Sequence, residues 1–161
     1  MPTLPADWIG HFPGLTSYRL AACDPAGRPS ICRALAAQLL ADGRVRVLLT
    51  GDAGPRVLDA IRATGQVAVL MVSPETNRTL HMKGRDAIVM AAGAECDALL
   101  AERRAALVRS LGPDGFPPDA PLIASWYTVR EGDLYSVSFT PWGAWNQTPG
   151  PGAGAPVELI P

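Results

Sequence analysis

The feature that most constrains this chain is a succession of short apolar or alternating runs, each cut off by turn chemistry within a few residues. Ser17 to Cys23 reads as a strand, and Asp24-Pro25-Ala26-Gly27-Arg28-Pro29 after it is dense in turn formers. Residues 30–38 form a second run, so the pair predicts an antiparallel hairpin with a long loop. Asp42-Gly43 is a tight-turn dipeptide. Beyond it Val45, Val47 and Leu49 alternate with Arg44, Arg46 and Leu48 in a strand that ends at Thr50. Val67 to Val72 is an apolar, β-branched run suited to a buried strand, closed by a turn over residues 73–77. Arg78 to Ala92 predicts a longer strand bent near Gly84, and residues 125–129 and 134–139 predict two more.

Helical signals are fewer. Pro5 to Gly10 suits a short turn that packs Trp8 and Phe12 on the body. Pro55 sits well at a helix start, because proline lacks the amide hydrogen that this position leaves unpaired. Val57, Leu58 and Ile61 then fall at helical spacing, with Gly65 as the C-cap. Glu95 to Leu111 carries a second helical pattern, while the prolines between 113 and 121 exclude regular structure there. Six or seven strands with only two main helices cannot make a doubly wound parallel sheet, which needs a helix between successive strands. The expected fold is therefore mainly β with peripheral helices: an antiparallel barrel.

The 161 residues suit one domain, with a core over about 15–140 and a Pro/Gly-rich C-terminal extension over 141–161. At 48% hydrophobic and 18% charged the chain is globular rather than disordered, and a net charge of −1 offers no basic surface for nucleic acid or an anionic membrane. No apolar stretch approaches a membrane span and the first residues lack a signal-peptide pattern, so a cytoplasmic location is expected. The preference for arginine over lysine, with abundant Ala, Gly and Pro, suits a GC-rich bacterial genome. Cys23, Cys32 and Cys96 form no CxxC pair and are expected as reduced thiols, with a contact between Cys23 and Cys32 across the hairpin left open.

The strongest local arrangement is the strand ending at Thr50, the Gly51-Asp52-Ala53-Gly54 loop and the helix opening at Pro55-Arg56. A helix start presents unpaired amides and a partial positive charge, glycines let a backbone approach a ligand, and Arg56 adds a fork of donors matched to phosphate. A plain strand–turn–helix with Arg56 in solvent satisfies the same pattern, and Asp52 repels an anion unless it points away or caps the helix. Arg33, in an otherwise apolar run, either lines a cavity or faces solvent. On the long strand, alternation puts Thr79, His81 and Lys83 on one face and Arg78, Leu80 and Met82 on the other. His81 and His11 have no supporting ligand spacing, so no metal site is expected. No nucleophile–base arrangement is legible either, which leaves the reaction to a bound cofactor. Trp126, Trp142 and Trp145 are able to stack on a flat ring, though packing is the commoner use of each.

In order along the chain, Asp24-Pro-Ala-Gly-Arg-Pro-Ser30, Val47 to Arg56, Gln66 to Leu70 and Arg78 to Gly84 resemble the pyridoxamine 5′-phosphate oxidase-like FMN-binding split barrels. The likeness covers about residues 15–92, and the Gln147-Thr-Pro-Gly-Pro tail resembles that of a bacterial subgroup. It implies a six- to seven-stranded split β-barrel, homodimeric, with FMN at the subunit interface. Carried over by position, Arg56 would hold the FMN phosphate, and Leu49 and Thr50 would line the isoalloxazine or ribityl path. Arg33 would be a second phosphate or ribityl contact, Thr79 would meet the flavin, and Gln147 and Thr148 would close the site. Pro55 leaves only one basic residue in the phosphate loop, and the oxidases' C-terminal Arg-x-His pattern is missing, which argues against oxidation of pyridoxine phosphate itself. The expectation is a flavin-dependent oxidoreductase acting on an unknown small substrate, with NAD(P)H as a possible donor. The alternatives are a flavin-binding module without turnover, or a barrel that holds heme or a deazaflavin instead.

Overall fold

A computed structural model describes residues 3–10 and 16–160. The strands are β1 (Ser17–Cys23), β2 (Pro29–Ala34), β3 (Ala36–Leu39), β4 (Val45–Thr50), β5 (Val67–Val72), β6 (Thr79–Gly84), β7 (Ile88–Ala91), β8 (Leu134–Phe139), β9 (Pro141–Asn146) and β10 (Pro156–Val157). The α-helices are α1 (Ala6–Ile9), α2 (Pro55–Thr64), α3 (Asp97–Leu111) and α4 (Pro121–Trp126). All strand pairs are antiparallel. Six strands form one sheet in the order β10-β9-β6-β5-β1-β2, and four form a second in the order β3-β4-β8-β7. The fold is thus mainly β with few helices.

The expectation of six or seven strands is corrected to ten short ones among the described residues. Two of the expected strands are real runs cut at a corner. The run over 30–38 leaves the large sheet at Leu35, whose amide donates to the Leu48 carbonyl, and continues in the small sheet as β3. The run over 78–92 does the same between Gly84 and Ile88, after a register shift at Lys83/Gly84. The third corner, at Thr140, carries β8 into β9. Strands that switch sheets at bends close the two sheets around one core. Because β9 pairs along β6, the large sheet extends past residue 140.

Two of those corners are tied together. Arg44 reaches Asp86 (2.8 Å), the Ser138 carbonyl (2.9 Å) and the Thr140 hydroxyl (3.3 Å). Asp86 also accepts from the Thr140 amide and hydroxyl, both at 2.8 Å. Burial pushes the Asp86 carboxyl up, but the hydrogen bonds from Thr140 and Arg44 outweigh it and hold the group below the usual carboxylate range.

The expected strand over 125–129 is also corrected. Residues 121–126 are the helix α4, and no strand covers 127–129. Pro121 presets a helical φ at the first position, and Ile123 is fully buried against Leu107 of α3 and Ala120. This tertiary contact overrides the β preference of Trp126-Tyr127-Thr128-Val129. The predicted α2 ends as expected, with Gly65 at φ +66°.

The main core fills the space between the sheets and under α2. It includes Tyr18, Leu20, Val47, Leu49, Ile61, Val69, Met82 and Phe139. Smaller clusters join α3 to the outside of the small sheet and α3 to α4. Trp8 packs against the main core, while Phe12 and His11 lie outside the described residues. Cys23, Cys32 and Cys96 are all free thiols. Cys23 faces Pro29 across the hairpin and Cys32 faces Leu20, so the two cysteines are not cross-strand partners.

Candidate functional site

The turn after β4 delivers the chain to α2 with Gly54 as N-cap, Pro55 at the first helical position and no side chain capping the end. The first amides of such a helix have no intrahelical acceptor. They border a groove of about 430 Å³ between Ala53–Val57 and Pro29, Ser30 and Ile31 of β2. Arg56 lies on the boundary between this groove and a neighbouring one of about 640 Å³ lined by Asp24, Arg28, Ser30 and Asp59. The carboxylates there are already engaged: Asp24 with Arg28 at 2.7 Å and Asp59 with Arg62 at 3.1 Å. Arg56 is exposed and forms no ion pair among the described residues.

Asp52 does not cap the helix. It turns toward Arg130, 3.6 Å away. Its carboxyl is held below the usual range chiefly by the Thr50 hydroxyl and further by Arg130. The objection that Asp52 repels an anion at Arg56 therefore loses force. The glycines of the loop have a packing reason. A Cβ on Gly54 would stand 2.7 Å from the Cys32 sulfur, and one on Gly51 would stand 2.6 Å from the Asp133 carboxylate.

From Ile31 the groove continues onto the outer face of the large sheet. Arg19, Ala21, Ile31, Ala68, Leu70, Thr79, His81 and Gln147 line a depression of about 390 Å³. Alternation explains the set: Leu80 and Met82 point into the core while Thr79, His81 and Lys83 point out, as the sequence predicts. Ile31 is 68% exposed, and no helix lines this depression; α3 and α4 meet the sheet only beyond it, at Arg33. Its far side carries Trp145, with its ring centroid 5.7 Å from that of His81 and 5.6 Å from that of Trp142. Lys83 and Arg85 stand over these two indoles at 5.3 and 4.2 Å. Burial, and secondarily Lys83, pulls the His81 imidazole below its usual pKa.

The seven expected site residues divide into four groups. Arg56 stands at the helix start, as expected. Thr79, Gln147 and Thr148 come together: the Thr79 amide donates to the Thr148 hydroxyl (3.0 Å), and the Gln147 amide donates to the Thr79 carbonyl (2.8 Å). Leu49 is fully buried in the core, and neither it nor Thr50 is among the residues that line the grooves. Arg33 lines a different cavity, beside Arg19, Trp126 and Tyr127. Burial pulls its guanidinium pKa down, opposed by Tyr127 and assisted by Arg19. Ser30, Ile31 and Arg19 were not expected. The period-two spacing from Arg33 to Ile31, and the register that sets Arg19 opposite Arg33, are the signals that expose the last two.

Among the described residues, no three His, Cys, Asp or Glu side chains gather as a metal site requires, and no helix is long and apolar enough to cross a membrane. No protein-family model matches the chain, and no curated protein matches it. Solved structures do. An F420 reductase aligns over 88% of this chain and 98% of its own, at 17% identity and a TM-score of 0.57. A candidate pyridoxamine 5′-phosphate oxidase from Lactobacillus delbrueckii aligns over 89% and 93%, at 13% identity and a TM-score of 0.52. The heme storage protein HutZ from Vibrio cholerae aligns over 89% and 94%, at 18% identity and a TM-score of 0.50. At such identities the likeness is one of fold, and this chain shares the split-barrel fold of these structures.

Proposed function

We propose that this protein binds FMN between two copies of itself and serves as a flavin-dependent oxidoreductase for a small substrate, with NAD(P)H as the electron donor. The observation that carries the reading is Arg56: an unpaired guanidinium at an uncapped helix start, in a groove that runs onto a bare, largely apolar sheet face. Arg56 and the first amides of α2 hold the phosphate. Ile31, Ala68 and Leu70 form an apolar bed for the flat ring, and Thr79 and Gln147 border it. The tail tied by Thr148 to Thr79 fixes Gln147 at that rim. Bound flavin supplies hydride and electron transfer, which the side chains on this face do not.

The homodimer follows from the same face. A surface that exposes Ile31 and Trp142 beside half-buried Leu70 and Trp145 gains by being covered, and a second copy brings the same patch about a two-fold axis. A second reading is supported by His81, whose imidazole burial favours the neutral form that ligates iron. With it the face holds heme; a deazaflavin is the third occupant, in keeping with the neighbours' names.

Purified protein offered FMN, then desalted, is expected to retain about one flavin per chain with an absorbance band near about 450 nm. It is also expected to sediment as a dimer. Bleaching of that band by NADH or NADPH, and recovery with an acceptor, marks an oxidoreductase; retention without bleaching marks a binding module. Retention of heme or F420 in place of FMN overturns the flavin reading, and a protein that retains none of the three has no cofactor role on this face.

A further inference from the structure

We propose that the cavity between the β1–β2 hairpin and the α3–α4 pair binds a small ring-bearing carboxylate, with Arg19 and Arg33 as the clamp on its anionic end. The proposal does not require the flavin reading: its cavity of about 290 Å³ shares Arg19 with the outer-face depression but none of the Arg56 groove.

The two arginines are direct cross-strand partners on neighbouring antiparallel strands. Side chains in that relation leave the same face of the sheet side by side, and like charges so placed repel. The fold retains the pair without neutralising it. Arg28, Arg44, Arg62, Arg103 and Arg130 each stand within 4.0 Å of a carboxylate, whereas among the described residues neither Arg19 nor Arg33 does. Glu75, which adjoins the cavity's Pro74 in sequence, accepts from the Ser110 hydroxyl at 3.1 Å. The buried Arg103 adds a further positive charge next to Tyr18 and Tyr127.

Both guanidiniums are held in place before any ligand arrives. Arg33 lies over the Trp126 ring, with 4.7 Å from its Cζ to the centroid. Arg19 donates to the Ser17 hydroxyl and the Tyr18 carbonyl, each at 3.0 Å. Each planar fork keeps further N–H groups, and a carboxylate matches that geometry. Most of the remaining wall is apolar, with Leu35, Pro74, Leu107, Leu111 and Trp126, and the polar Thr16, Ser17 and Tyr127 complete it. A largely apolar chamber with two guanidiniums in its wall selects a compact hydrophobic body bearing one anionic group.

Benzoate and its neutral isostere benzamide are the probes, and the Trp126 indole resonance in an ¹H–¹⁵N spectrum is the reporter. The expected result is a saturable shift of that resonance with benzoate, and binding of benzamide weaker by about tenfold or more, the scale of a lost charge-assisted hydrogen bond. Arg19→Gln and Arg33→Gln are each expected to weaken benzoate by about tenfold and to leave benzamide unchanged. Because Arg33 also supports Trp126, the exposed Arg19→Gln variant decides the matter if Arg33→Gln disturbs α4. No saturable shift up to about 20 mM, equal binding of the two probes, or wild-type affinity in Arg19→Gln overturns the proposal. A failure to bind FMN leaves it untouched, since neither probe nor reporter touches the Arg56 groove.

Discussion

The two faces of the six-stranded sheet are built from the same strands and have opposite fates. On the inner face Leu20, Val69, Met71, Leu80, Met82 and Ala144 are all at most 2% exposed, packed against the small sheet and α2. On the outer face Ile31, Leu70, His81 and Trp145 sit one residue away from inward-facing neighbours, with no helix of the described chain over them. The inner face is explained by folding alone. The outer face spends apolar area, two indoles and several cations on a surface that folding does not use, and such a surface is where a ligand or a second copy contributes.

The sharpest break of that comparison is a paired truncation. Met82→Ala, on the inner face, is expected to cost about 2–5 kcal/mol in denaturant unfolding, the range for emptying a packed core site. Leu70→Ala, on the outer face of the next strand, is expected to cost about 1 kcal/mol or less in the isolated chain. Equal losses would show that the outer face is core as well.

Gly54 tests whether the loop before α2 is shaped by packing or by a ligand. Gly54→Ala pushes a methyl group into the Cys32 sulfur, 2.7 Å away, and is expected to cost about 1–3 kcal/mol without any ligand present. Adding Cys32→Ala should recover part of that loss, because the two sites are in contact. If Gly54→Ala is harmless to stability and harms only FMN retention, the glycine belongs to the ligand.

The smallest effect concerns His81. Its folded pKa lies below its usual 6.5, so just below that pH the unfolded chain binds a proton that the folded chain does not. Its contribution to stability is therefore present above 6.5 and is lost as the pH falls from there to the folded value. The slope of melting temperature against pH in that window should flatten in His81→Gln. Lys83→Gln should reduce the slope and leave some of it, since burial is the larger cause. An unchanged slope in His81→Gln removes the histidine from the outer-face account.

Much of the fold is legible in the sequence because local signals agree with the global answer. β1, β4, β5 and β8 announce themselves by alternation or β-branched runs, and α2 by Pro55 and Gly65. What escapes is where a strand changes sheets. Alternation carries on through the corner at Leu35, and nothing local says that the next residues pair with β4 rather than β1. β9 escapes because Pro141 and Gly143 look like punctuation, although a proline is tolerated at the first residue of a strand. α4 is misread because its burial against α3 is a long-range fact. In the candidate site, Arg56 is legible from the helix start. Leu49, which the family likeness would put beside the flavin, has its side chain in the core, as its alternation with Val45 and Val47 suggests. The reasons for Gly51 and Gly54 lie in Asp133 and Cys32, far away in sequence, and no local pattern reveals them.

The central claim is that the bare outer face and the start of α2 form one FMN site. Titration of FMN into wild-type protein and Arg56→Ala, followed by flavin fluorescence, tests it most directly. The variant is expected to fold as the wild type does and to bind FMN more weakly by about 1.5–3 kcal/mol, the scale of a hydrogen bond to a charged group. Equal affinity in the two proteins, or no saturable binding in either, would contradict it.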